Sequence, residues 1–187
     1  MTEIYNIKDL IRSHPYLNQL TELIGSGANG HVYSHPEDEN LAIKVSYQDK
    51  AYAAYMSWCC THQGNPYIPK IVGHQSSTYD PGRPLLHYET VDDFIYTVTI
   101  MEHLTQYDQV LGKKLSDEQF AGKVGLFDDH AWVCKDRRFS YIGIEQFTDR
   151  HLTEVADWLG ESGFCLDIGR YNIMCRGKQL VFTDPVC

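Results

Sequence analysis

A glycine-rich segment followed by a lysine carries the clearest chemistry in this sequence. Residues 25–32 have the pattern G-x-G-x-x-G-x-V, and Ala42-Ile43-Lys44 follows in an apolar stretch. A glycine backbone can bend closely over phosphate groups because no Cβ stands in the way, and its N–H groups can face the ligand. A lysine further along the chain can meet the phosphate charge. The spacing therefore predicts a nucleotide site that includes Gly25, Gly27, Gly30, Val32 and Lys44.

Two other phosphate-binding motifs do not fit this segment. The dinucleotide fingerprint needs a helix directly after the glycines, whereas residues 31–35 are strand-like and end at Pro36. The pattern G-x-x-x-x-G-K-[ST] of a P-loop is also missing from the sequence. Strands alternating with turns over residues 21–46 instead predict an antiparallel meander. An ordinary glycine hairpin without a ligand remains the alternative at this point.

A second set of polar residues lies near the other end of the sequence. Asp167 and Asn172 form the pattern D-x-x-x-x-N, and Asp184 follows a predicted hairpin with its turn at Gly177. Phosphoryl transfer from ATP uses a carboxylate near the acceptor hydroxyl, together with a carboxamide and a second carboxylate that hold metal. Mg²⁺ prefers such oxygen ligands. We therefore interpret Asp167 as the catalytic carboxylate and Asn172 and Asp184 as metal ligands; taken singly, they would be turn and cap residues.

The composition limits the classes of partner. The 187 residues are 43% hydrophobic, which fits a globular protein, and the formal charge of −9 argues against direct nucleic-acid binding. No apolar run reaches membrane-spanning length and the first residues show no secretion-signal pattern, so we expect a cytoplasmic protein without membrane association. The six cysteines show no C-x-x-C pair, and we expect reduced, buried thiols.

The elements that must position these residues change character along the chain. Apolar periodicity predicts five strands and one main helix first, then a helical half, with the change near residues 102–104. Asp49 is placed to cap the main helix. The predicted helices cover residues 3–13, 49–63, one or two within 106–130, and 145–160; beyond the meander, the predicted strands are 68–75 and a fifth that runs to Met101, with a polar loop at 76–84.

The combination of these motifs resembles the eukaryotic-type protein-kinase fold. More closely, it is similar to the early serine/threonine protein kinases of short-tailed lytic coliphages (autographiviruses). T-D-P in place of D-F-G is a specific marker of that similarity. The segments that carry it include Tyr33-Ser34-His35-Pro36, Ile43-Lys44-Val45, Asn172-Ile173-Met174 and Thr183-Asp184-Pro185-Val186.

The resemblance implies an α+β, two-lobe, protein-kinase-like fold. Residues 1–103 would form an N-lobe with a five-stranded antiparallel sheet, and residues 104–187 a reduced helical C-lobe. It implies ATP and Mg²⁺ as cofactors, and transfer of the γ-phosphate to the chain itself and to host proteins, including transcription or RNA-processing machinery, in the host bacterial cytoplasm. By position, Lys44 would contact the α- and β-phosphates, Met101 would be the gatekeeper, and Glu102 to Leu104 would form the hinge that receives adenine.

Two departures from the kinase pattern keep alternatives open. The helix at 49–63 contains no glutamate to pair with Lys44, and Cys165-Leu166-Asp167 stands in place of H-R-D. A pseudokinase-like inhibitor that binds a host protein is therefore the second hypothesis. A small-molecule phosphotransferase of the aminoglycoside or choline type is the third, because such enzymes share the carboxylate-x4-asparagine loop and a later metal aspartate.

Overall fold

The computed structural model shows an α+β protein. It describes residues 17–79, 84–106, 109–110, 133–135, 138–140, 150–165, 167, 171–177 and 179–187. The chain divides into two compact units: unit 1 is Met1–Thr61 with Lys70–His103, and unit 2 is His62–Pro69 with Leu104–Cys187. Among the described residues, no helix has the length and apolar composition needed to cross a membrane.

Unit 1 is built on an antiparallel sheet with the strand order β1-β2-β3-β5-β4, which confirms the predicted meander and five-stranded sheet. The strands are short, half-buried and rich in β-branched and aromatic residues, as such a sheet requires. Its elements are β1 (Leu23–Ser26), β2 (Gly30–Ser34), β3 (Leu41–Tyr47), helix α1 (Lys50–Thr61), β4 (Ile71–Thr78) and β5 (Ile95–Glu102), with 3-10 turns at Leu17–Gln19 and Val91–Phe94.

The central strand β3 separates two faces of this sheet. Ile43 and Val45 are fully buried in a hydrophobic cluster with Leu17, Leu20 and Tyr33. Because successive side chains of a strand point to opposite faces, Lys44 lies on the other face. The strand pattern thus directs the lysine away from the hydrophobic cluster.

Helix α1 begins where its sequence supplies a cap. Asp49 Oδ1 accepts a hydrogen bond from the Tyr52 backbone N–H at 2.9 Å, which satisfies one of the donors left open at a helix start. The helix spans Lys50–Thr61, slightly shorter than the predicted 49–63, and Gly64 follows its end. Its buried side chains are Ala51, Tyr52, Ala53, Tyr55, Met56 and Cys59.

Strand β4 begins and ends about three residues later than predicted. We expected a strand over 68–75 and a polar loop from Ser76, whereas the strand covers Ile71–Thr78. Pro69 has no backbone N–H to give to a sheet. At the other end, the hydroxyl of Ser76 lies 3.1 Å from the hydroxyl of buried Thr97 on β5. The polar residues that were predicted to form a loop therefore belong to β4 and pair with β5.

Unit 2 contains more strand than the predicted helical half. Strands β9 (Ile173–Arg176) and β10 (Gln179–Phe182) form the expected hairpin, and Gly177 adopts φ 60°, a conformation that glycine accepts without strain. Strand β6 (Thr105–Gln106) adds to β9, which makes a three-stranded sheet that the sequence analysis did not predict. The other described elements are β7 (Val133–Lys135), β8 (Arg138–Ser140) and helix α2 (Arg150–Glu161).

One of the predicted helices beyond α1 is found in the described part of the chain. Helix α2 begins five residues after the predicted start at 145 and ends one residue after the predicted end at 160. Its buried residues Val155, Ala156 and Leu159 recur at helical spacing. The helices predicted over 3–13 and in most of 106–130 fall outside the described residues.

Candidate functional site

The glycine segment forms the turn between β1 and β2. The Gly27 N–H donates to the Gly30 carbonyl at 2.8 Å, and Ser26 pairs with His31, so the turn is closed as a tight hairpin. An added Cβ at Gly27 would lie 3.9 Å from the nearest heavy atom, the Gly30 carbonyl oxygen, and one at Gly25 would lie 3.5 Å from the Cβ of Val32. Side chains could therefore be accommodated at these two glycines.

Gly30 is the glycine with a steric requirement, and it concerns the lysine. A Cβ at Gly30 would approach the Cε atom of Lys44 to 3.2 Å and the Val45 carbonyl oxygen to 3.4 Å. The 3.2 Å approach is tighter than ordinary van der Waals contact, and the 3.4 Å approach is at its lower limit. The missing side chain of Gly30 therefore makes the room in which the Lys44 stem runs.

Lys44 lies against an aromatic ring. Its Nζ atom is 3.7 Å from the centroid of the Tyr52 ring, which is fully buried in the first turns of α1. A cation over an aromatic face is stabilised by the ring quadrupole, more strongly where water is excluded. The first turn of α1 thus places an aromatic ring against the ammonium group of Lys44.

The remaining predicted nucleotide residues are distributed along the strands. Val32 is directly opposite Lys44 in the β2–β3 register and is half-buried. Met101 is 6% exposed on β5. In the predicted hinge, the backbone N–H of Glu102 donates to the Lys70 carbonyl at 3.0 Å, and Leu104 is the first residue of the second part of unit 2.

Polar side chains continue the Lys44 face of the sheet. Thr99 pairs with Lys44 in the β3–β5 register and is fully buried, and its hydroxyl lies 3.1 Å from His74 Nδ1. The other ring nitrogen of His74 is 3.5 Å from the Ser57 hydroxyl on α1. Burial lowers the pKa of His74, because removal from water disfavours the charged imidazolium.

In unit 2, the β9–β10 hairpin brings two of the predicted residues together. Asn172 immediately precedes β9 and Asp184 closely follows β10, and the outermost pair of the hairpin is Ile173 with Phe182. The Asn172 carbonyl accepts hydrogen bonds from the Thr183 N–H at 2.8 Å and the Asp184 N–H at 3.3 Å. The Thr183 hydroxyl donates to the same oxygen at 2.9 Å.

The side chain of Asn172 extends this arrangement to Asp167. Its Nδ2 atom donates to the Asp167 carbonyl at 2.8 Å, while the Asp167 N–H donates to the Pro185 carbonyl at 2.8 Å. We call these bonds, which join Asp167, Asn172, Thr183 and Asp184, the Asn172 junction. It brings together all three residues that the spacing predicted for catalysis and metal binding.

The junction suits a hard cation. Asn172 uses Nδ2 as a donor, so its Oδ1 is the atom suited to a metal, and Asp184 Oδ1 is shielded from solvent. One carboxamide and one carboxylate oxygen leave room for the water and phosphate ligands that Mg²⁺ retains. Within the described part of the chain, no group of three or more His, Cys, Asp or Glu side chains forms a metal site.

The hairpin is anchored by the loop between α1 and β4. Arg176 donates to the carbonyls of Pro66 and Ile68 at 2.9 and 3.0 Å, and the Phe182 N–H donates to Tyr67 at 2.8 Å. Three hydrogen bonds therefore fix the frame on which Asn172 and Asp184 lie.

Sequence reasoning missed two residues of these arrangements. The sequence indicated Tyr52 only indirectly. The helix at 49–63 has no glutamate to pair with Lys44, so another residue of α1 could be expected to contact the lysine. Thr183 was not among the predicted site residues, although a threonine hydroxyl is a common source of local hydrogen bonds to the backbone.

Comparison with known proteins adds no relative. No protein-family model matches this sequence, and a search of curated proteins finds no significant match.

Proposed function

We propose that this chain is an ATP-dependent protein serine/threonine kinase of the phage type, which phosphorylates host proteins and itself. The observation that carries the proposal is the Asn172 junction. Hydrogen bonds of the Asn172 side chain and of the backbone bring Asp167, Asn172 and Asp184 together, and these are the residue types that phosphoryl transfer uses. In unit 1, the glycine hairpin and Lys44 are the residues that the sequence pattern assigns to phosphate binding.

Each residue has one role in this proposal. Asp167, which is exposed, accepts the proton of the acceptor hydroxyl. Asn172 Oδ1 and the Asp184 carboxylate would hold Mg²⁺, which offsets the charge of the phosphates when bound. Lys44 carries a positive charge toward the α- and β-phosphates, and Val32, Glu102 and Leu104 complete the expected nucleotide contacts.

A phosphate-transfer assay with paired aspartate variants tests the proposal. The chain is incubated with Mg²⁺, ATP radiolabelled on the γ-phosphate, and bacterial lysate. Asp167→Asn removes the candidate base, while Asp157→Asn changes an exposed aspartate on α2 that lies outside the junction. We expect labelled protein with wild type and Asp157→Asn, and a reduction on the order of 100-fold or more with Asp167→Asn.

Equal labelling by wild type and Asp167→Asn would contradict the proposal, as would no labelling above the lysate alone. Phosphoserine and phosphothreonine analysis of the labelled bands then identifies the acceptor. Label found only on small molecules would favour the small-molecule phosphotransferase instead.

The missing glutamate in the helix at 49–63 favours a second candidate, a pseudokinase-like inhibitor that binds a host protein. Active kinases use a glutamate of this helix to position the phosphate-binding lysine. This candidate predicts tight binding to a host protein that survives Asp184→Ala. Loss of that binding in Asp184→Ala would count against it.

A further inference from the structure

Two exposed cysteines of unit 2 face each other across a short antiparallel pairing. The Cys165 N–H donates to the Cys187 carbonyl at 3.1 Å, and the Cys187 N–H donates back to the Cys165 carbonyl at 2.8 Å. Both thiols are exposed, in contrast to the buried thiols of Cys59 and Cys175. The expectation of buried cysteines is therefore wrong at these two positions and at Cys60, and confirmed at Cys59 and Cys175.

The reciprocal hydrogen bonds define the geometry of this pair. Residues that exchange both bonds in an antiparallel ladder have Cα atoms about 5.5 Å apart, with side chains on the same face. Disulfides span Cα separations of roughly 4.4 to 6.8 Å. The Cβ atoms of a disulfide are closer than those of a relaxed hydrogen-bonded pair by roughly 1 to 2 Å, so closure requires the two segments to twist toward each other.

We propose that Cys165 and Cys187 are a redox modification site that forms a reversible disulfide. The oxidant is a low-molecular-weight disulfide such as oxidised glutathione. One cysteine thiolate attacks a sulfur of that disulfide, forms a mixed disulfide and releases one thiol. The second cysteine thiolate then attacks the protein sulfur and releases the second thiol. Two protein thiols lose two protons and two electrons, and one small disulfide is reduced to two thiols.

The position of the pair gives the disulfide a consequence. The next rung of the same pairing is the bond from the Asp167 N–H to the Pro185 carbonyl, so the cross-link lies directly beside the Asn172 junction. The twist needed for closure would displace the Asp167 carboxylate and the Asp184 segment together. This consequence rests on the proposed kinase function, whereas disulfide formation does not.

Peptide mapping of the full-length chain tests the site. The protein is treated with oxidised glutathione, blocked at its remaining thiols and digested without reduction. Cys187→Ser is the diagnostic variant. Cys60→Ser is the matched control, because Cys60 is also exposed but lies on α1.

We expect a peptide that joins Cys165 to Cys187 in wild type and Cys60→Ser, lost in Cys187→Ser and reversed by dithiothreitol. Separate glutathione adducts on the two cysteines without a cross-link would overturn the proposal, as would bridges to Cys60 or between chains.

A second readout separates this proposal from the kinase proposal. Oxidation is expected to lower phosphate transfer roughly 10- to 100-fold in wild type, reversibly, and to leave Cys187→Ser close to its reduced rate. A cross-link without any transfer in either redox state would contradict the kinase proposal alone. Transfer that is unchanged in the cross-linked protein would overturn the regulatory consequence.

Discussion

The glycine hairpin of unit 1 and the Asn172 junction of unit 2 hold their candidate groups by different interactions. Lys44 is placed by shape: the missing side chain of Gly30 gives it a path, and the Tyr52 ring lies beneath its ammonium group. Asp167, Asn172 and Asp184 are placed by hydrogen bonds that meet at one residue.

This difference predicts different responses to mutation. Removal of the Asn172 side chain takes away the hydrogen bond that the Asp167 carbonyl accepts from Nδ2, so this bond no longer fixes the spacing of the two residues. A lysine positioned by packing should respond in proportion to the contact area that is lost, and a ring should be replaceable by another ring. The two regions can therefore be tested against each other with the same assays.

Asn172→Ala should have the largest effect. It removes both the hydrogen bond to the Asp167 carbonyl and a candidate metal ligand, so we expect phosphate transfer to fall by about 100-fold or more. Thr183→Val removes only the hydroxyl donated to the Asn172 carbonyl and should cost about tenfold or less. Phosphate transfer measured across a Mg²⁺ titration checks both. Equal losses of phosphate transfer in the two variants would contradict the view that the junction depends more on the Asn172 side chain than on the Thr183 hydroxyl.

Replacement of Tyr52 should have a several-fold effect on ATP affinity. Tyr52→Phe keeps the ring under Lys44 and should bind ATP like wild type, whereas Tyr52→Leu should bind about 2- to 30-fold more weakly. Isothermal titration calorimetry measures the affinity.

Tyr55→Leu is the matched control for loss of a buried ring. Tyr55 is equally buried on α1, but its ring stacks on Trp58 at a centroid distance of 6.0 Å. It should lose stability as Tyr52→Leu does while it keeps its ATP affinity. If Tyr55→Leu weakened ATP binding as much as Tyr52→Leu, the ring contact with Lys44 would not be what matters.

Gly30→Ala should separate space for the lysine from flexibility of the turn. The new Cβ would press on the Lys44 stem and on the backbone of β3, so we expect a loss of unfolding free energy of about 1 to 3 kcal/mol. Gly27→Ala, where the nearest atom is 3.9 Å away, should change it by less than about 0.5 kcal/mol. Denaturant unfolding compares the two. Similar losses at both positions would argue for a general need for flexibility in the hairpin.

Protonation of His74 should have the smallest effect, a change in the stability of unit 1 with pH. Since burial lowers its folded-state pKa below the unfolded value of about 6.5, the unfolded chain binds more protons in the window between the two values. Stability should therefore fall as the pH decreases through that window, and the histidine should contribute no pH dependence above it.

Thermal unfolding between neutral and mildly acidic pH measures this slope. His74→Gln should flatten it, while His87→Gln, at an exposed histidine of the same unit, should keep the wild-type slope. A slope that is identical in wild type and His74→Gln would contradict the assignment.

The sequence predicted unit 1 better than unit 2 for a physical reason. Alternating apolar residues, the acidic turn before β3 and the cap at Asp49 are local signals, and each one specified a strand, turn or helix start that the structure contains. The bounds of β4 were missed because its polar half is paired through hydroxyls on β5. No local sequence pattern predicts a hydroxyl partner on another strand.

In unit 2, the spacing of Asp167, Asn172 and Asp184 made them candidates but did not predict the hydrogen bonds that join them. The strand β6 is only two residues long, too short for any periodicity, and it exists because β9 offers it an edge. The Arg176 bonds to residues far away in the sequence are likewise invisible to local reasoning. The ring that holds Lys44 could not be read from a motif that expects glutamate.

The most direct test of the account is the Mg²⁺ dependence of ATP affinity in wild type, Lys44→Ala and Asp184→Asn, measured by calorimetry. If Lys44 and Asp184 have the roles proposed for them, wild type binds ATP more tightly with Mg²⁺ than without it. Lys44→Ala should then weaken binding in both conditions, and Asp184→Asn should abolish the difference between them. ATP binding that is absent in wild type, or unaffected by both variants, would contradict the account.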